Sequence, residues 1–382
     1  MIVRIAIITE SFPPDVNGVA HCVLRVAEHL TRLRGHQPMV IAPQPARSLQ
    51  RPDNDLEYPV VRVPSLPMPG YPGFRVAVPG SRLRAALERH GTDLVHLASP
   101  FVLGTNGSVA AGRLGLPVVA VYQTDMPAYA RAYRFGPLGQ EAAWRRLRRI
   151  HNAAALTLAP STAAAASLQE HGIERVRLWG RGVDTVRFDP AKRSRRLRAE
   201  LAPGGEVLVG YVGRLAPEKR VELLSEVAVL PGVRLVIVGS GPAEAAARRA
   251  MPAAVFLGQR HGEQLASIYA SLDVFVHSGP HETFGQTLQE AAASGLPVVA
   301  PAAGGPLDLV DDGVTGFLVP PGDPGALASA VSKLVADPGL RASQGSAARK
   351  KVRGRTWRAL GDELIGYYEA VLETASTVEE AA

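Results

Sequence analysis

Short apolar, β-branched runs recur along the chain, each followed by a loop containing Gly, Pro or Asn and then by a helical segment. In the first half the runs Ile2–Ile8, Pro38–Ala42, Val60–Val63, Leu94–Leu97, Val118–Val121 and Ala155–Ala159 predict strands. Helices are predicted at Val19–Leu33, Ser81–Arg89, Leu103–Leu114, Leu138–Asn152 and Ser161–His171, the last capped by Ser161. Pro64–Pro79 is rich in Pro and Gly and is expected on the surface. After linker-like Gly182-Val-Asp184 and Phe188-Asp-Pro190, and a polar helix Lys192–Leu201, the pattern restarts. Strands follow at Val207–Val212, Arg234–Val238, Val255–Leu257, Val274–His277 and Val298–Ala300. Helices are expected at Arg220–Val229, Gly262–Ala270, Gln286–Ser294 and Pro324–Ala336, and a last one at Trp357–Thr374. Strands alternating with helices predict an α/β fold with parallel, doubly wound sheets.

The 382 residues suit two domains, and the restart places the division near residue 185. This gives domains at 1–185 and 186–355, with 356–382 as a final helix and tail. A hydrophobic content of 46% supports substantial cores. No run of about 18 apolar residues exists to span a membrane. The apolar start lacks a basic leader, so a buried first strand is expected rather than a signal segment. One cysteine, Cys22, excludes an internal disulfide and suits a reducing cytoplasm.

Charge is divided unevenly: residues 1–185 carry +8 and residues 186–382 carry −1. A basic half can serve nucleic acid or an anionic membrane. No nucleic-acid motif is present, so no nucleic-acid partner is expected. Trp144-Arg-Arg-Leu-Arg-Arg-Ile-His151 mixes apolar residues with four arginines, either as a solvated helix face or as an attachment surface for anionic lipid.

The chemistry concentrates in His281-Glu-Thr-Phe-Gly-Gln-Thr-Leu-Gln-Glu290. Glu282 falls on the loop at a strand's carboxyl end, and Glu290 falls inside the next helix. In an open α/β sheet that edge is where ligands bind, and the helix start between the acids offers N–H groups to a phosphate. A ligand with hydroxyls at both ends and phosphate between them, a sugar nucleotide, matches. Arg214 and Lys219 in Gly213-Arg-Leu-Ala-Pro-Glu-Lys219 supply cations beside another expected helix start and suit a diphosphate. Asn17-Gly18 makes a similar loop in the first half, or a plain turn.

Other signals are weaker. Gly239-Ser-Gly-Pro-Ala-Glu244 lacks the last glycine of a dinucleotide fingerprint. Asp53-Asn54-Asp55 has the spacing of a metal-holding pair but follows no strand, which favours a surface turn. Scattered histidines and one cysteine give no zinc site. The two acids share one strand–helix junction, whereas a glycosidase pair flanks a bond from opposite faces.

Four stretches together resemble the family 4 retaining glycosyltransferases: Glu282 with Glu290, Gly213-Arg214 with Lys219, Glu10-Ser-Phe-Pro-Pro with Asn17-Gly18, and Gly182-Val-Asp184 with Phe188. The likeness runs from residue 1 to about residue 370. Val95-His-Leu-Ala-Ser-Pro100, Tyr122-Gln-Thr-Asp125 and Val276–Phe284 are most similar to bacterial GDP-mannose-dependent α-mannosyltransferases that act on glycolipids, phosphatidylinositol mannosides included. The resemblance implies a GT-B fold of two facing Rossmann-like domains, the N-terminal one binding the acceptor and the C-terminal one the nucleotide sugar. It also implies that the last helix crosses back to the N-terminal domain.

By the same resemblance, Glu282 contacts donor-sugar hydroxyls and Glu290 the ribose. Arg214 and Lys219 stabilise the leaving diphosphate without a metal or other cofactor, and backbone at Gly18 and Phe284-Gly285 holds the same group. Arg260 is expected near the base. The configuration is retained, with a phosphate oxygen as the base. Gln123 stands where many relatives have histidine and cannot titrate, so it is expected to orient the donor sugar or acceptor hydroxyl. Asp125 is an acceptor-side candidate, and His96, at a strand end, is either another such candidate or, as is more usual there, a structural residue.

The expected enzyme is therefore a hexosyltransferase moving mannose from GDP-mannose to a glycolipid or lipid-linked glycan. It is expected on the cytoplasmic face of the membrane, in cell-envelope synthesis. A UDP-sugar-dependent glucosyl- or galactosyltransferase is the alternative. A sugar-nucleotide epimerase needs an acid–base pair that Gln123 does not provide, and a non-catalytic binder does not need all four of Arg214, Lys219, Glu282 and Glu290.

Overall fold

The computed structural model describes residues 2–15, 17–46, 53, 55–68, 71–78, 80–127 and 136–380. The chain divides into two compact units. The first comprises residues 1–160, 164–180 and 357–382, and the second residues 161–163 and 181–356. The division thus falls five residues before the expected point, and the last helix is counted with the first unit.

In the first unit the strands are β1 (Arg4–Ile8), β2 (Gln37–Pro43), β3 (Val60–Val63), β4 (Ser65–Met68), β5 (Tyr71–Ala77), β6 (Leu94–Leu97), β7 (Val118–Val121), β8 (Leu156–Ala159) and β9 (Val176–Leu178). Seven of them form one sheet in the order β3-β2-β1-β6-β7-β8-β9, all pairs parallel. Burial on both faces is why β1 reads as an unbroken apolar run. Successive side chains point to opposite faces. Ile5 and Ile7 enter a core with Val23, Val26 and Leu30 of helix Gly18–Arg34, while Ala6 and Ile8 enter another with Leu83, Leu87 and Leu103.

Helix Trp357–Glu380 completes the first of these cores through Leu360, Leu364 and Tyr368. Trp179 Nε1–H donates to the Leu360 carbonyl at 2.8 Å, and Asp362 pairs with His29 at 2.9 Å and Arg34 at 2.8 Å. Only its order in the chain sets this helix apart. A polar tie reaches the middle of the sheet, where His96 Nδ1 lies 2.6 Å from the Tyr368 hydroxyl.

The second unit contains β10 (Val207–Val212), β11 (Val233–Val238), β12 (Val255–Gly258), β13 (Val274–Val276), β14 (Val298–Pro301) and β15 (Gly316–Val319). They form a parallel sheet in the order β12-β11-β10-β13-β14-β15. The order reverses between β10 and β13, so the loops leaving these two strands diverge to opposite sides and open a crevice at the carboxyl edge.

Several elements differ from expectation. Arg220–Val229 is not one helix. The segment breaks into 3₁₀ turns at Pro217–Lys219 and Val221–Leu224, with Arg220 left-handed between them (φ 49°), and then a short helix Ser225–Ala228. Arg214 and Lys219 therefore do not flank an α-helix start. Strands β9 and β15 and the antiparallel β4–β5 hairpin within Pro64–Pro79 were not expected. Residues 69, 70 and 79 of that segment lie outside the described residues. Helix Pro338–Val352 was also unexpected, because it packs through small and polar residues instead of an apolar stripe. A Cβ on its Gly345 would sit 2.1 Å from the Gly295 carbonyl oxygen, so two backbones touch there.

The His96–Tyr368 contact yields a stability test. Tyr368→Phe keeps the ring but leaves a buried imidazole without its partner, and should cost about 1–3 kcal/mol in denaturant unfolding.

Candidate functional site

All the expected site residues of the second unit except Arg260 lie on the loops and helix that follow β10 and β13. The loop after β10 carries Arg214 and Lys219, and the loop after β13 carries His277 to Gly285. Lys219 Nζ lies 2.5 Å from Glu282 Oε2, joining residues 63 positions apart. The Ser278 hydroxyl donates to the Lys219 carbonyl at 2.9 Å, which ties the two loops together again. Arg214 is ion-paired with the buried Glu218. Both cations proposed for the diphosphate thus lean on a carboxylate.

Glycines permit this closeness. A Cβ on Gly305 would meet the Phe284 carbonyl oxygen at 2.0 Å, and Gly305 N–H donates to the Glu282 carbonyl at 2.7 Å. The small residues after β14 therefore support the Glu282 loop from behind. Gly285, at φ 101°, starts helix Gln286–Ala293, and no side chain caps it. Its first N–H groups are the arrangement an anion needs. Phe284 is buried, with the Arg355 guanidinium 5.9 Å from its ring centre.

Electrostatics separate the two acids. Burial pushes the Glu282 carboxyl up, but the Lys219 charge and its hydrogen bond, with His277 and Arg181 nearby, outweigh it and hold the pKa below its usual value. Glu290, in the helix, is raised to about 7 by burial, against hydrogen bonds from Tyr269 and Gln286. Glu282 is thus held as an anion, while Glu290 is half-protonated near neutrality.

Three neighbours were not foreseen. His277 is buried, its Nε2 lies 3.6 Å from Glu282 Oε2, and burial lowers its pKa to about 4. A histidine ending an apolar strand before Ser278-Gly279-Pro280 was the available signal. Arg181, buried beside the linker Gly182-Val-Asp184, and Glu218 carried none.

Arg260 is not brought to this cluster. It stands after β12, two strands from β10, and lines a groove of about 720 Å³ with Ser194, Arg196, Glu200 and Glu263. That groove runs between helices Arg195–Leu201 and Gly262–Ser271, apart from the Lys219–Glu282 pair.

In the first unit the order reverses between β1 and β6. The loop after β1 leads to Gly18, but the Asn17 side chain accepts from Val19 and Ala20 N–H at 3.0 Å each. This helix start is already partly filled, unlike that at Gly285. Glu10 is buried and accepts Leu103 N–H at 2.5 Å and Gly104 N–H at 3.2 Å. Gln123 is buried just past β7, and Asp125 interacts with the Tyr122 hydroxyl.

Of the two readings of His96, the structure shows the structural one: it is buried within β6 on Tyr368, and burial lowers its pKa to about 3. Asp53 is held by Arg62 through two bonds of 2.9 Å, and Asn54 lies outside the described residues. Among the described residues no cluster of His, Cys, Asp or Glu could hold a metal ion. In helix Gly136–Ala153, Trp144 is buried and stacks on His171 at 3.6 Å, leaving Arg145 and Arg149 exposed.

The Glu290 shift has a pH consequence. A carboxyl raised from 4.5 to about 7 contributes stability fully present below pH 4.5, which is lost as pH rises through 7. Glu290→Gln should therefore gain on the parent chain between pH 4.5 and 7 and level off above. The gain, read by chemical denaturation, should reach on the order of 3 kcal/mol at most.

Comparison with known proteins shows the family. The family model "Glycosyltransferase Family 4" matches residues 16–187, and "Glycosyl transferases group 1" matches residues 193–351. A GDP-mannose-dependent α-mannosyltransferase of Mycobacterium tuberculosis is 50% identical over 371 residues, covering 97% of each chain. The protein of that name from Mycolicibacterium smegmatis is 48% identical, covering 97% of this chain and 98% of its own. Anabaena HepE, solved in complex with UDP-glucose, superposes with a TM-score of 0.77 at 22% identity, covering 96% of this chain and 99% of that one. At that identity it speaks for the fold, which is GT-B. This chain is an enzyme belonging to the family 4 glycosyltransferases.

Proposed function

We propose that the protein transfers mannose from GDP-mannose, with retention of the α-configuration, to a glycolipid or lipid-linked glycan. The donor follows from the full-length likeness to GDP-mannose-dependent α-mannosyltransferases. The observation that carries the mechanism is the Lys219–Glu282 contact at the reversal of strand order.

In this reading the diphosphate lies at the uncapped helix start after Gly285, with Lys219 and Arg214 turned toward it. Glu282 accepts from sugar hydroxyls, and its low pKa keeps it an acceptor. Glu290, ready to lose its proton near neutrality, accepts from the ribose. As the glycosidic bond breaks, negative charge grows on the diphosphate, and cations already in place lower the barrier. The acceptor attacks from the face the diphosphate leaves, and a phosphate oxygen takes its proton. The two side-chain cations fill the part a divalent metal would play, so none is required. Gln123 orients a hydroxyl of donor or acceptor without titrating.

A thermal-shift panel tests the donor. GDP-mannose should stabilise the protein well above UDP-glucose and UDP-galactose, and selective stabilisation by a UDP-sugar would reject the reading. Lys219→Ala and Glu282→Gln should each lower kcat/KM for donor turnover by roughly 10²–10³.

The acceptor reading includes attachment to an anionic membrane surface. No helix among the described residues is long and apolar enough to cross a membrane. Trp144 is packed inside, so the exposed Arg145 and Arg149 would act by charge alone. Co-sedimentation with phosphatidylglycerol vesicles should occur at low salt and fade at high salt. Absence of binding at both would remove the membrane from the proposal.

A further inference from the structure

We propose that His277 is a positioning residue for Glu282, its Nε2–H taking over the carboxylate when Lys219 turns to the donor's diphosphate. The inference rests on the reading of Lys219 and Glu282 given above.

One oxygen, Glu282 Oε2, faces both groups: Lys219 Nζ at 2.5 Å and His277 Nε2 at 3.6 Å. Lys219 is a single mobile charge, and a diphosphate with more negative charge draws it away. A carboxylate as enclosed as Glu282 then stands without its bonded cation, which is strongly unfavourable. The imidazole needs to close only about 0.8 Å to reach a charge-assisted hydrogen bond.

The rest of the loop holds His277 ready for that step. The His277 main-chain N–H donates to the Val299 carbonyl at 2.8 Å, and the ring lies parallel to that of Tyr211 at 6.3 Å. Neither ring nitrogen has a side-chain hydrogen-bond partner, and the Gly279 backbone is the group bonded to the ring, although the residue is only 2% exposed. Such groups are nearly always paired. The polar groups against the ring are Glu282, Lys219 and the Gly279 backbone. The carboxylate is the strongest acceptor among them, so the single proton of the neutral ring belongs on Nε2.

The exchange keeps Glu282 ionised and in place while the diphosphate holds Lys219. His277 therefore supports the grip on the sugar and not the grip on the nucleotide. Two substitutions separate this from a packing role. The amide nitrogen of His277→Gln reaches the place of the imidazole Nε2, whereas that of His277→Asn reaches only the place of Nδ1.

Calorimetry with GDP and with GDP-mannose reads the difference. His277→Asn should bind GDP within about twofold of the parent chain but GDP-mannose roughly tenfold more weakly, and His277→Gln should restore most of that loss. Equal GDP-mannose affinities for the two variants, high or low, would overturn the proposal. Should either variant unfold, the parent chain labelled with ¹⁵N-histidine decides. Its GDP-mannose complex should show His277 as the Nε2–H tautomer, and the Nδ1–H tautomer would overturn the idea. Failure of the underlying reading looks different: Lys219→Ala would leave GDP affinity unchanged, whatever His277 does.

Discussion

The ion pair between Lys219 and Glu282 is the contact on which the catalytic unit depends. It exists because a parallel sheet reverses its order between β10 and β13, setting two outgoing loops on either side of one crevice. The loops could not approach this closely with ordinary side chains behind them. Gly305 lies against the Phe284 backbone, and Gly279 brings its chain against the backbone of Lys219. Close backbone packing thus places one cation and one anion in contact, and their attraction overcomes the penalty that burial imposes on Glu282.

This arrangement gives the site a self-neutralised character. Lys219 pairs with Glu282 and Arg214 with Glu218, so the groups assigned to the diphosphate are not bare charges. Binding becomes an exchange of partners, which lessens the cost of holding two cations together. The exchange needs something to receive Glu282, and the imidazole of His277 is the group within reach. At Glu290 the hydrogen bonds from Tyr269 and Gln286 and the Arg187 charge offset burial only in part, and its pKa stays raised.

The two glycine loops look alike in sequence but differ in chemistry. At Gly285 the helix start keeps its N–H groups uncapped, whereas at Gly18 the Asn17 side chain takes two of them. An asparagine before a glycine is both a turn former and a cap, and sequence alone does not say which use prevails. The first unit spends its polar contacts on assembly instead: Glu10 takes the N–H groups that open helix Val102–Arg113, and His96 and Trp179 hold the last helix.

The α/β class, the two-part division, and the positions of Glu282 after a strand and Glu290 inside the next helix were legible in the chain, because each rests on a local pattern. Apolar runs of strand length, caps and breakers act between near neighbours, so they survive without knowledge of the fold. Helix Pro338–Val352 was not legible: backbone contact at Gly345 replaces the apolar stripe. Nor was the break after Lys219, where φ at Arg220 overrides helical propensity. The tertiary structure alone decided that Lys219 meets Glu282, that His277 waits beside them, and that His96 belongs to the core. The Lys219–Glu282 and His96–Tyr368 contacts join residues far apart in the chain, and the energies at the site come from burial and from opposite charges in low dielectric. Both exist only once the sheet has formed.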